Sequence, residues 1–147
     1  MGIAGYSEIA RMLGFNDVAD EYATIAKKMA VKWEEMANEG DHYRLAFDRE
    51  DTWSQKYNMI WDKMWGLNLF PNNVIDKEIN YYLTKQNPYG LPLDSRKDYT
   101  KSDWIMWTAA MSSDQVTFEK FIAPLYKYIN ETTSRVPICD WHDTKNG

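Results

Sequence analysis

The chain holds one cysteine, two histidines and no apolar run of membrane-spanning length. Each shortage removes a class of protein. A lone thiol, Cys139, makes no internal disulfide and no multi-cysteine metal site; it reads as a small buried hydrophobe. No stretch approaches the roughly 18 apolar residues that a transmembrane helix requires. Net charge is −5, with Lys and Arg interspersed among Asp and Glu, so no basic patch marks a nucleic-acid surface. The opening residues, MGIAGYSEIARMLG, lack the charged start and apolar run of a signal peptide. The expectation is an intracellular protein or a segment of a longer secreted one. Nucleophile motifs are missing too: there is no G-x-S-x-G, and the residues from Ser54 and from Ser102 both miss S-x-x-K.

What remains is helical. The 147 residues, 44% apolar and 15% aromatic, fit one all-α domain over 1–147. Helical periodicity predicts helices at 3–13, 17–38, 54–65, 72–86, 101–111 and 114–130. Asn16 and Ser113 are the expected N-caps, Gly14, Gly40 and Gly66 the stops, Pro71 a start, and Pro124 a kink. HYRLAF (42–47) hints weakly at a strand. Links within the pairs 1–2, 3–4 and 5–6 are short, as in antiparallel hairpins. The segments 39–53, 87–100 and 131–147 are long and should share one face, where function usually sits. The fifth helix, WIMWTAAM, is apolar all round, the mark of a helix buried on every side. Odd helices therefore read as inner and even ones as outer, in a curved double layer of three hairpins.

The stretch DTWSQKYNMIWDKMWG (51–66) holds three of the seven tryptophans. Trp53, Tyr57, Trp61 and Trp65 fall four apart, so the last three share a helix face with Ile60 and Met64. That is a core stripe, and Trp61, Trp65, Trp104 and Trp107 are expected to be mostly buried. Trp53 precedes the helix, where a loop aromatic can stack on a ligand.

Three long strings, GDHYRLAFDREDTWSQKYNMIWDKMWGLNLFP (40–71), KQNPYGLPLDSRKDYTKSDWIMWTA (85–109) and INETTSRVPICDWHDT (129–144), closely resemble the glutaminase A family. These are large secreted proteins associated with fungal glutaminase activity and common in gut bacteria. The resemblance covers nearly the whole chain. It implies an incomplete segment of a six-hairpin (α/α) toroid, the fold of many glycoside hydrolases. It also implies hydrolysis of L-glutamine to glutamate and ammonia, and a secreted or periplasmic parent. The alternatives are a carbohydrate-active toroid, hydrolase or glycan binder, and a non-catalytic helical fragment.

Hydrolysis in such a fold needs two carboxylates, one acting as acid and one activating water. The loop-face set is Asp41, Asp48, Asp51, Asp94, Asp98, Asp103, Asp140 and Asp143, each of which also suits a helix cap or a surface charge. Asp94, Asp103 and Asp140 are the candidate catalytic residues; Asp103 sits in a first helical turn, where the dipole favours an anion. Trp53, Gln55, Lys56, Arg96 and Lys101 are the candidate substrate-binding residues, because inner-helix N-termini that open onto the long-loop face favour anions such as a substrate carboxylate. DWHD (140–143) offers Asp140, His142 and Asp143, but no second cluster completes a metal site, and hydrogen-bonded or exposed histidines are expected. No cofactor is implied. The expected partners are a small-molecule substrate (glutamine, or a glycan in the alternative) and the remainder of the parent protein. The apolar residues Ile3, Tyr6, Ile9, Met12 and Leu13 spread too widely for one neighbour to cover, so self-association through the first or last helix is also expected.

Overall fold

A computed structural model describes residues 1–134 and 136–147. Six α-helices run along them: α1 (Gly2–Met12), α2 (Asn16–Ala37), α3 (Ile60–Trp65), α4 (Asn72–Leu83), α5 (Ser102–Ala110) and α6 (Gln115–Glu131). Two three-residue strands, β1 (Tyr99–Lys101) and β2 (Trp141–Asp143), pair antiparallel. The expected strand at 42–47 is absent; an isolated bridge between Asn38 and Tyr43 stands there instead.

Local chemistry explains most boundaries and corrects some. Gly66 ends α3 in the left-handed conformation at φ 61°, as a C-terminal glycine does. Asp114, not Ser113, caps α6 by accepting the Thr117 N–H at 2.9 Å. Asn16 is inside α2, whose cap position is Phe15, with no side-chain cap. The third helix starts six residues late. Ser54 bridges to Asp94 and Gln55 N–H donates to the Leu93 carbonyl, which holds this backbone against the second connection, and a 3₁₀ turn at Tyr57–Met59 precedes α3. Pro124 lies inside α6, which continues through it to Glu131.

The α1–α2 hairpin packs through small residues. Ala4, Ser7, Ala10, Ala19, Ala26 and Ala30 are buried, and Ser7 Oγ donates to the Ala19 carbonyl at 2.6 Å. The main core lies elsewhere. It gathers Tyr43, Trp53, Met59 and Ile60 with Val74, Ile75, Ile79 and Tyr82 of α4, Ile105 and Ala109 of α5, and Phe121, Leu125 and Tyr128 of α6. Burying each large apolar side chain contributes about 1.5–3 kcal/mol. Burial therefore does not alternate inner and outer, since α4 contributes more to this core than α1 or α3.

The aromatic ladder packs only in part. Trp61, Trp104 and Trp107 are half-buried, while Trp65 is 59% exposed. Six residues give α3 under two turns, too short for one stripe to lie wholly inward. On α5, Ile105, Thr108 and Ala109 are buried but Met106 and Ala110 face out, so an apolar composition does not mean burial on every side. Cys139 is exposed rather than a buried hydrophobe.

Candidate functional site

The three long connections meet, as their spacing predicts. Gln55 N–H donates to Leu93 O at 2.8 Å and Ser95 N–H to Trp53 O at 3.0 Å, which stitches the first connection to the second. Tyr89 N–H donates to Thr144 O and Thr144 N–H to Asp98 O, both at 2.8 Å, and β1 pairs with β2, which ties in the third. Gly90 is needed at the turn: its φ is 129°, and a Cβ there would stand 2.7 Å from Ile105 Cδ1.

This frame holds a hollow of about 300 Å³, lined by Trp53, Lys85, Asn87, Pro92, Asp94, Ser95, Arg96, Lys97, Asp98 and Lys145. Three candidate residues lie here. Trp53 is only 7% exposed, with its ring against Tyr81 and Tyr82, so it forms the floor and not a free platform. Asp94 is buried and gripped by Arg96, whose Nη2 donates at 2.6 Å, Nε at 3.0 Å and backbone N–H at 2.9 Å. Burial alone would raise the Asp94 carboxyl, but the hydrogen bonds and charge of Arg96 outweigh it and hold the group below its ordinary value.

Lys101, Asp103 and Asp140 form a second group at the start of α5. Lys101 Nζ pairs with Asp140 Oδ2 at 2.9 Å and lies over the Trp104 ring at 5.2 Å. That hydrogen bond lowers the Asp140 carboxyl. Asp103 Oδ1 accepts the Trp104 N–H at 3.0 Å, and Oδ2 has no hydrogen-bond partner among the described residues. Trp104 stacks on Tyr57, with centroids 4.8 Å apart and planes at 4°.

Residues 1–147 match the family described as the glutaminase A six helical-hairpin domain, over the full chain. The chain belongs to this family. It is 34% identical over 151 residues to a protein named Glutaminase A from Aspergillus oryzae, covering 100% of this chain and 22% of that protein. It is 29% identical over 174 residues to a probable glutaminase from Arthroderma benhamiae, covering 99% of this chain and 20% of that one. The chain thus spans about a fifth of the length of these relatives.

In this glutaminase A hairpin segment, the two remaining candidates are internal. Gln55 is buried: its amide nitrogen Nε2 donates to the Leu91 and Pro92 carbonyls, both at 3.0 Å, and its Oε1 accepts from Thr108 Oγ1 at 2.9 Å. Lys56 Nζ donates to the Tyr43 carbonyl and pairs with Glu78 Oε2 at 3.3 Å; burial lowers its pKa against the pull of Glu78. Glu78 is 0% exposed; it also accepts the Tyr43 N–H at 2.6 Å and the Tyr82 hydroxyl. Burial, reinforced by Glu78, raises Tyr82 well above its ordinary value.

Sequence reading missed this family member's Glu78, although a signal existed: it falls inside the apolar stripe Val74, Ile75, Ile79, Tyr82. It also missed Lys85, Lys97 and Lys145, which no helix periodicity brings together. Both histidines are buried and partnered: His42 Nδ1 lies 2.7 Å from Asp41, and His142 Nε2 lies 3.0 Å from the Tyr89 carbonyl, with its ring stacked on Tyr128. Among the described residues, no group of three His, Cys, Asp or Glu could hold a metal, and no helix is long and apolar enough to cross a membrane.

Proposed function

We propose that this chain is part of a glutaminase-type amidohydrolase of a secreted or periplasmic parent, which converts the side-chain amide of L-glutamine to glutamate and ammonia. The observation that carries the reading is the family match over the full chain, with both relatives named as glutaminases. Amide hydrolysis needs a base to activate water and an acid to protonate the departing nitrogen. Asp94 and Asp140, both held below their ordinary values, are ionised at neutral pH and suit the base or an electrostatic role, not the acid. Asp103, whose Oδ2 has no hydrogen-bond partner among the described residues, is the third carboxylate proposed for proton transfer. Arg96 and Lys101, which stand in separate groups, are the two candidate receivers of the substrate carboxylate; Trp53 backs the ligand at Arg96, and Gln55 and Lys56 hold the backbone that carries it. The fold is proposed to be three hairpins of a larger (α/α) toroid.

One observation favours the carbohydrate-active reading: Tyr57, Trp61, Trp65, Trp104 and Trp107 form a connected run of partly exposed rings, and sugars stack on such faces. The test is ammonia release from L-glutamine beside sugar release from a glycoside panel, with the full-length parent and this chain in parallel. Ammonia from glutamine supports the proposal. Sugar release alone sinks it, and activity of the parent without activity of the chain marks the chain as a non-catalytic fragment.

A further inference from the structure

We propose that the hollow above Trp53 is a binding site for a small organic anion, taking a dicarboxylate ahead of a neutral amide. Lys85, Arg96, Lys97 and Lys145 supply four positive charges to its wall, against two carboxylates, Asp94 and Asp98. Both carboxylates are already neutralised: Arg96 pairs with Asp94 at 2.6 Å and Lys145 with Asp98 at 3.0 Å. Lys85 has the Tyr81 ring beneath it at 4.6 Å. The Lys97 ammonium makes no hydrogen bond or ion pair among the described residues. A surplus of two positive charges therefore stands at one concavity, in a chain whose net charge is −5.

The four cations come from three separate stretches, at 85, 96–97 and 145, that the backbone stitching forces together. Their mutual repulsion is relieved by an anion, and the field of like charges in a concave wall concentrates one there. The volume of about 300 Å³ is at the lower end of small-ligand pockets. Arginine and lysine side chains carry only donors, which suits carboxylate oxygens. The surplus of two charges in the lining, Lys97 unpaired among the described residues and Lys85 shared only with the exposed Asp41 carboxylate outside the hollow, matches two carboxylates, so glutarate or glutamate fits better than glutaramide or glutamine. Only the identification of glutamate as the natural occupant rests on the hydrolase reading; the site itself stands on its charges and shape.

Calorimetric titration of the chain with glutarate and with glutaramide, at about 20 mM salt, where charges act over some 20 Å or more, tests it without turnover. Saturable one-to-one binding of glutarate, with none of glutaramide, is the expected result. Lys97→Ala should weaken glutarate roughly five- to tenfold, the scale of one ordinary hydrogen bond at a solvent-exposed position. Lys28→Ala, an exposed lysine on α2, should leave it unchanged. Equal affinity for the two ligands, no saturable binding, or indifference to Lys97→Ala overturns the proposal. Glutamine turnover is read in a separate assay, so loss of the hydrolase reading and loss of this site are told apart.

Discussion

Replacing Glu78 by Gln removes one charge from the interior and one acceptor oxygen, the one that meets the Tyr82 hydroxyl, which still donates to the Ser54 carbonyl. Gln keeps the volume and one carbonyl oxygen for the Tyr43 N–H. It cannot answer Lys56, whose ammonium stands 3.3 Å away with its side chain 11% exposed. Removing one partner of a buried ion pair costs about 3–5 kcal/mol, because the other charge is left uncompensated. Here the Tyr43 carbonyl still accepts from Lys56 and a little solvent reaches it, so about 2–3 kcal/mol is expected. That is a large share of the ~5–15 kcal/mol that holds a domain together. Urea unfolding followed by tryptophan fluorescence reads the loss as a lower midpoint at unchanged slope. The informative partner is Glu78→Gln combined with Lys56→Met. With both charges gone the stranded ammonium is gone too, and the double variant should be no less stable than Glu78→Gln alone, a coupling of ~1 kcal/mol or more. A loss below about 0.5 kcal/mol for Glu78→Gln, or strict additivity in the cycle, would refute the view of this network as a compensated internal pair.

Phe121→Ala should cost about 3–5 kcal/mol, since Phe121 is fully buried, whereas Trp65→Ala should cost under ~1 kcal/mol; equal shifts in denaturant midpoint would contradict the burial pattern. The folded Asp94 carboxyl lies below its ordinary value, so its contribution is full above the unfolded value of ~3.9 and fades as pH falls through the folded value. A pH series of thermal midpoints should therefore drop less steeply on the acid side in Asp94→Asn than in the parent sequence. Asp103→Asn in the full-length parent should cut glutamine turnover with little change in stability, and full activity would remove Asp103 from the mechanism. Ile9, Met12 (85% exposed), Leu13 and Phe15 lie open around the end of α1, and a hollow of about 350 Å³ lies between Ile9, Met12 and Trp65. The isolated chain should self-associate there, and a clean monomer in sedimentation at high concentration would speak against it.

Helix positions were legible because they depend on local signals: apolar spacing, Gly66 as a stop, Pro71 before a start. The meeting of the long connections followed from link lengths alone. Failures cluster where distant residues decide. Residues 54 and 55 carry helix-compatible letters, yet pair with 93 and 94 across the fold, and no window of sequence contains both. The β1–β2 pair is three residues long on each side, below what alternation can reveal. Trp65 shows that a periodic stripe fixes which residues share a face, but not whether anything covers it. Of the proposed site, Asp94 with Arg96 was readable as neighbours in GLPLDSR. The lysines that give the hollow its charge were not, since Lys85 and Lys145 are unremarkable surface letters until the backbone brings them together.

The Thr144 anchor has a consequence in time. Its hydroxyl donates to the Asp98 carbonyl across 46 residues of chain and meets the Asn87 amide across 57. During synthesis at roughly 5–20 residues per second, residue 98 waits a few seconds for its partner to leave the ribosome. Until then Asn87 and the Asp98 carbonyl must be served by water, and Lys145, which closes one wall of the hollow, has not been made. The α1–α2 hairpin needs only neighbours already present. The helical scaffold is thus free to form early, and the charged hollow is among the last parts of this chain to be assembled.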